Sequence, residues 1–155
     1  MTVFLVRHAS AGVRDDGDPT DSDRPLDDGG LDQASQLSDL LADSAVIRVL
    51  TSPARRCRET IAPLAARHQL AVEPHEDLFE GSAIEQSWEL LEWAAHLDGD
   101  VVLCSHGDVI PELIRRAQLR GMDIPTKSGC AKGSMWSLDF DGSRFVTGRY
   151  QKVPG

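Results

Sequence analysis

Thr2-Val3-Phe4-Leu5-Val6-Arg7-His8, at the start of the chain, and Val101-Val102-Leu103-Cys104-Ser105-His106-Gly107, near its last third, are two short apolar runs that each lead into a histidine. Neither alternates polar with apolar, so each predicts a strand covered on both faces inside a parallel sheet. Working outward from the first, residues 14–28 carry seven Asp with Gly17, Pro19 and Pro25, which predicts a solvated loop. From Asp27 onward, Leu31, Ala34, Leu37, Leu40 and Leu41 recur at three- and four-residue spacing, the apolar stripe of a helix ending near Asp43. Val46 to Leu50 predicts a second strand. Thr51-Ser52-Pro53 then offers a favoured N-cap with proline at the first helical position. The stripe Cys57, Ile61, Leu64 and Ala65 carries that helix to about His68, with a kink expected at Pro63, which lacks a backbone donor.

Leu70 to Val72 predicts a short third strand, Glu76 to Gly81 a loop, and Ile84, Trp88, Leu91 and Ala95 a helix stopped by Asp98-Gly99. After the second apolar run, Asp108 is placed to cap a helix that tolerates Pro111 in its first turn and reaches about Gly121. Ser134 to Phe140 and Arg144 to Tyr150 flank Asp141-Gly142, a hairpin signal. Trp88, Trp93 and Trp136 are expected in or half in the core. Strands alternating with helices give an α/β fold: a three-layer α/β/α sandwich with a mostly parallel central sheet and an antiparallel edge, as one domain over residues 1–155.

Composition narrows the function. Sixteen Lys and Arg against 25 Asp and Glu leave a formal charge of −9, which argues against nucleic acid and anionic membrane as partners. The apolar run at the N-terminus, Val3 to Val6, is far shorter than a signal-peptide core or the roughly 20 residues of a membrane span, so a cytoplasmic protein is expected. Three cysteines, Cys57, Cys104 and Cys130, lack paired short spacing, and reduced thiols are expected. His8, Cys104 and His106 fit no standard zinc spacing, the Asp-rich loop fits no calcium-loop pattern, and no metal or cofactor is implied.

Ligands of such sheets bind at the carboxyl ends of the strands. Three of those ends carry Arg7-His8, Ser52 with Arg55-Arg56 on the next helical turn, and Ser105-His106-Gly107. Arginine's planar fork matches the oxygens of a phosphoryl group, which spreads its charge and needs several donors at once. A neutral imidazole can attack phosphorus, and neighbouring guanidinium groups disfavour its protonation. His8 is the candidate nucleophile, and His106, beside the start of a helix, is placed to donate to a phosphoryl oxygen. No Gly-x4-Gly-Lys-Ser/Thr loop, cysteine-dependent phosphatase loop or dinucleotide glycine motif is present.

These residues carry a resemblance. Arg7-His8-Ala9 resembles the opening Arg-His-Gly of the histidine phosphatase superfamily, with its phosphoglycerate-mutase-like fold, and Arg24-Pro25-Leu26-Asp27 resembles the Arg-Pro-Leu-Thr of its short, SixA-like phosphohistidine phosphatases. Ser52-Pro53-Ala54-Arg55-Arg56-Cys57-Arg58-Glu59-Thr60 is similar to the family's Ser-Pro…Arg…Thr segment, which selects Arg56 over Arg55, and Ser105-His106-Gly107 resembles its second histidine motif. The resemblance implies a phosphatase acting through a phosphohistidine intermediate, with His8 as nucleophile and Arg7, Arg56, His106 and Gly107 around the phosphoryl group.

Leu78-Phe79-Glu80-Gly81 resembles the segment from which ester-cleaving members draw a carboxylic acid, so Glu80 is the implied proton donor. SixA-like members generally lack that acid, because the phosphoramidate leaving group needs less help, and Glu80 therefore points to phosphate esters or anhydrides beside phosphohistidine proteins. Val109-Ile110-Pro111 and Lys132-Gly133-Ser134 resemble phosphatase-like domains attached to Nudix hydrolases, which favours nucleotide-like substrates. Lys132 itself reads equally well as a contact to the remote part of a substrate and as a solvated side chain. The alternatives are a phosphomutase and a catalytically silent module that binds a phosphorylated ligand.

Overall fold

The computed structural model describes residues 1–15 and 17–153; Asp16, within the acidic loop, lies outside the described residues, as do Pro154 and Gly155. One six-stranded sheet organises the chain, in the order β3-β2-β4-β1-β5-β6. Its strands are β1 (Thr2–Arg7), β2 (Val46–Thr51), β3 (Val72–Pro74), β4 (Asp100–Ser105), β5 (Met135–Phe140) and β6 (Phe145–Gln151). β3, β2, β4 and β1 run parallel, whereas β5 and β6 are antiparallel additions beyond β1. The helices are α1 (Asp28–Leu40), α2 (Arg55–Arg67), α3 (Ile84–Ala95) and α4 (Val109–Leu119).

The unbroken apolar runs of β1 and β4 are explained by what covers them. Successive side chains of a strand point to opposite faces. Phe4, Val6, Val102 and Cys104 pack with Leu37 of α1 and Cys57, Ile61 and Leu64 of α2. Val3, Leu5, Val101 and Leu103 pack with Leu91 and Ala94 of α3 and Leu113 of α4. Helices therefore cover both faces, and the three layers and mostly parallel sheet expected from the sequence are present. No helix among the described residues is long and apolar enough to cross a membrane.

Four local expectations are corrected. Helix α2 starts at Arg55 with Ala54 as its N-cap; Ser52 does not cap it in the expected way, because its hydroxyl is bound to His106. Asp108 makes no capping bond to α4 and instead accepts the Gly81 amide. The third strand lies at Val72–Pro74, two residues later than expected. Trp93 is 44% exposed, with the Arg48 guanidinium 5.2 Å from its ring, so it belongs to the surface and not to the core.

The segment from β1 to α1 is folded back by Asp27. Its carboxylate accepts the Gly30 amide as N-cap of α1 and also takes the Ser10 hydroxyl and the Gly12 amide. Gly30 makes this close return possible: a Cβ there would lie 1.9 Å from the Ser10 carbonyl oxygen. Alanine at this helical position would gain about 1 kcal/mol in propensity, but a clash with backbone has no rotamer to relieve it and costs roughly 1–3 kcal/mol or more. Gly30→Ala is therefore expected to lower the thermal midpoint by several degrees, read by circular dichroism, where propensity alone would raise it.

Candidate active site

Parallel alignment puts the carboxyl ends of β2, β4 and β1 side by side, and the backbone ties the residues beyond them together. The His8 amide donates to the Ser105 carbonyl at 3.1 Å, the Ser52 amide to Cys104 at 2.9 Å, and the Gly133 amide reaches the Arg7 and His8 carbonyls at 3.2 and 3.0 Å. His106, leaving the middle strand, is thus flanked by His8 on one side and Ser52 on the other. The two imidazoles stand 5.4 Å apart, centre to centre, in an edge-on arrangement. Phe79 closes on the His106 ring from 5.8 Å.

A cavity of about 390 Å³ opens here, lined by Arg7, His8, Arg14, Arg24, Arg56, Glu80, His106, Gly107, Asp108 and Lys132. All six residues singled out in the sequence, Arg7, His8, Arg56, Glu80, His106 and Gly107, line this one space. Arg55 and Arg58 do not: Arg55 pairs with Glu59, and the exposed Arg58 bonds the Pro53 carbonyl.

The spacing of the Ser52…Arg56…Thr60 segment has a physical reading. Arg56 and Thr60, four apart on α2, share the face turned to the site. Thr60 donates its hydroxyl proton to the Arg56 carbonyl and accepts the Ala9 amide at 2.9 Å, so it fixes the backbone beside His8. Ala9, where the family motif has glycine, is fully buried and its φ is not positive, so alanine stands there without backbone strain. Gly107 is needed for a different reason: a Cβ on it would come within 2.8 Å of the Arg7 guanidinium carbon.

The two histidines are held through opposite nitrogens. His8 Nδ1 lies 2.9 Å from the Ala9 carbonyl, which can only accept, so Nδ1 carries the proton. Burial, with His106, Arg56 and Arg7 nearby, lowers the His8 pKa to about 3, against the opposing pull of the Ala9 hydrogen bond. At neutral pH the ring is uncharged and Nε2 keeps its lone pair. In His106 it is Nε2 that is engaged, 2.8 Å from the Ser52 hydroxyl, which also accepts the Ala54 amide, and 3.6 Å from Cys57 Sγ. With Nε2 accepting from the Ser52 hydroxyl, Nδ1 of His106, which has no partner of its own, is the ring's donor.

The arginines are anchored from behind. Arg7 donates through Nη1 to the Cys130 carbonyl at 2.7 Å. Arg56, 1% exposed, donates to the Asp21 carbonyl and to Glu80 Oε1, both at 3.1 Å. Glu80 also approaches Arg14 at 3.8 Å, and its loop is latched by the Gly81 amide on Asp108 at 2.8 Å. Among the described residues five buried side-chain polar atoms lack a hydrogen-bond partner, and three of them, Arg7 Nε, Arg56 Nε and His106 Nδ1, belong to residues of this cavity. Buried donors without acceptors are costly.

Sequence reasoning did not place Arg14, Arg24 and Asp108 in the site, and left Lys132 open. Arg24 belongs to the Arg24-Pro25-Leu26-Asp27 motif, but the loop of residues 14–28 carries no periodicity that tells which of its side chains turn inward.

Comparison with known proteins follows the same lines. A family model described as the histidine phosphatase superfamily (branch 1) matches residues 3–92, which include Arg7, His8, Arg56 and Glu80. The 8-oxo-(d)GTP phosphatase of Mycolicibacterium smegmatis is 34% identical over 99% of this chain, and the chain spans about half, 48%, of that relative's length. The structure of the protein histidine phosphatase SixA complexed with tungstate shares the fold, with a TM-score of 0.76 at 22% identity over 97% of this chain and 94% of that one. A mycobacterial glucosyl-3-phosphoglycerate phosphatase with inorganic phosphate gives 0.72 at 15% identity over 99% and 97%. From the matched stretch, the near-complete alignment to the mycobacterial relative and the shared fold, the chain belongs to the histidine phosphatase superfamily, branch 1.

Proposed function

We propose that residues 1–155 act as a single phosphatase domain that needs no metal and works through a phosphohistidine on His8, with a phosphohistidine protein or a small phosphate ester or anhydride as substrate. The observation that carries this reading is the group of unpartnered buried donors, Arg7 Nε, Arg56 Nε and His106 Nδ1, on residues that share one cavity with an uncharged imidazole. The phosphoryl group docks among Arg7, Arg56, His106 and the Gly107 backbone. His8 Nε2 attacks phosphorus in line as the bond to the leaving atom breaks, and water then cleaves the N–P bond, releasing phosphate and restoring the ring. Guanidinium and imidazole donors supply the charge stabilisation that a metal ion supplies in other phosphatases.

Glu80 gives the proton to an ester leaving group. Its carboxylate pairs with Arg56 at 3.1 Å. A phosphoryl dianion that takes over Arg56 frees the Glu80 carboxyl group to turn toward the leaving atom. The name of the mycobacterial relative adds support for a nucleotide as substrate.

Turnover of p-nitrophenyl phosphate in the presence of a chelator tests the reaction. The wild type is expected to remain active, and His8→Ala to lose at least about a thousandfold in kcat; undiminished turnover by that variant overturns the mechanism. Glu80→Gln is expected to lose about a hundredfold in kcat on an alkyl phosphate and only a few-fold on phosphohistidine, whose leaving nitrogen needs less protonation. Equal losses on the two substrates would remove Glu80 from the role.

A further inference from the structure

The cavity exceeds what one phosphoryl group requires. At about 390 Å³ it lies within the roughly 300–1,000 Å³ of sites that enclose drug-sized molecules. Its lining holds five cationic side chains against two carboxylates, although the whole chain carries −9. That leaves three positive charges in excess. A phosphate monoester brings about two negative charges at neutral pH, and a terminal diphosphate brings roughly three.

The cations not used in the phosphoryl step, Arg14, Arg24 and Lys132, line the same cavity. Arg24 is held by Asp21, through Nε at 3.0 Å, and by the Ala11 carbonyl, and Asp21 in turn gives its own carbonyl to Arg56. Arg14, from the same loop, approaches Glu80. Lys132 comes from the segment before β5: its carbonyl accepts the Gln33 side-chain amide, Gln33 accepts the Ser10 amide, and Asp27, in the field of the Lys132 ammonium, takes Ser10 and Gly12. Arg14 and Arg24 belong to the Ser10–Asp27 loop, Lys132 is tied to that loop through Gln33 and Asp27, and the neighbouring Gly133 amide is bonded to the backbone of Arg7 and His8. Arg24 is held in place by the protein's own groups, which lowers the ordering cost of binding.

We propose that Arg14, Arg24 and Lys132 form a second anion subsite beside the phosphoryl pocket, and that the substrate is an organic di- or triphosphate losing its terminal phosphoryl group. This rests on the phosphatase reading. As the N–P bond to His8 forms, the bridging P–O bond breaks and its electron pair leaves on the oxygen of the shortened phosphate chain, which already exists as an anion and needs little protonation. In the second step water's oxygen bonds phosphorus and becomes the fourth oxygen of orthophosphate as the N–P bond breaks, its electron pair returning to His8 Nε2, and the proton released from the water passes to solvent.

Isothermal titration with methylenediphosphonate, which cannot be hydrolysed, and with orthophosphate reads the subsite without turnover. The wild type is expected to bind the diphosphonate at least about tenfold more tightly, the worth of one or two charge-assisted contacts. Lys132→Ala is expected to cut that preference to about threefold or less, and Lys132→Arg to restore it. Equal affinity of the wild type for the two anions, or a Lys132→Ala variant that weakens both alike, overturns the subsite. Hydrolysis of p-nitrophenyl phosphate is scored separately: a protein that fails to turn it over but keeps the diphosphonate preference supports the subsite and overturns the phosphatase reading.

Discussion

The bond from His8 Nδ1–H to the Ala9 carbonyl is the contact on which the site depends. It settles which nitrogen of a buried, uncharged ring carries the proton and which carries a lone pair. Protonation of that ring would set a third cation beside Arg7 and Arg56, and burial together with those neighbours prevents it. The Ala9 backbone must itself be rigid for the arrangement to hold, and Thr60 supplies this by accepting the Ala9 amide. Helix α2, packed through Cys57, Ile61 and Leu64 on the sheet, therefore positions both an arginine of the cavity and the backbone that orients the first histidine.

The same economy appears at the second histidine. Ser52, the residue after β2, is fully buried and bound to His106, the residue after β4, so the parallel pairing of two strands is what fixes a ring orientation. Gly107 keeps the next position free of side chain where the Arg7 guanidinium passes. The sheet acts here as a jig: strand register sets the spacing of imidazoles, and helix periodicity sets the spacing of α2's contributions.

How far this was legible in the sequence differs from element to element. The runs Val3–Val6 and Val101–Cys104 announced buried strands because both of their faces are apolar, and the chemistry-bearing residues follow directly at their carboxyl ends. Arg56 could be told from Arg55 through the resemblance of its segment, and burial of Arg56 against the half-exposed Arg55 follows from helix geometry. Ser52 and Asp108 were misread as helix caps for one reason: both residue types cap helices well in isolation, and what draws their oxygens away is a partner distant in sequence, His106 for one and Gly81 for the other. Trp93 was misplaced because a stripe of spaced apolar residues does not show where its edge meets solvent. Arg14, Arg24 and Lys132 lie in loops, where no period fixes the direction of a side chain.

The protonation state of His8 can be read directly. Long-range proton–nitrogen correlation spectra of the uniformly labelled protein, recorded between about pH 4.5 and 8, report which ring nitrogen of each histidine bears hydrogen. His8 is expected to remain the neutral Nδ1–H form throughout, since its pKa lies near 3. A His8 ring that instead becomes doubly protonated around its ordinary value of roughly 6.5, or that carries its proton on Nε2 at neutral pH, would contradict the account.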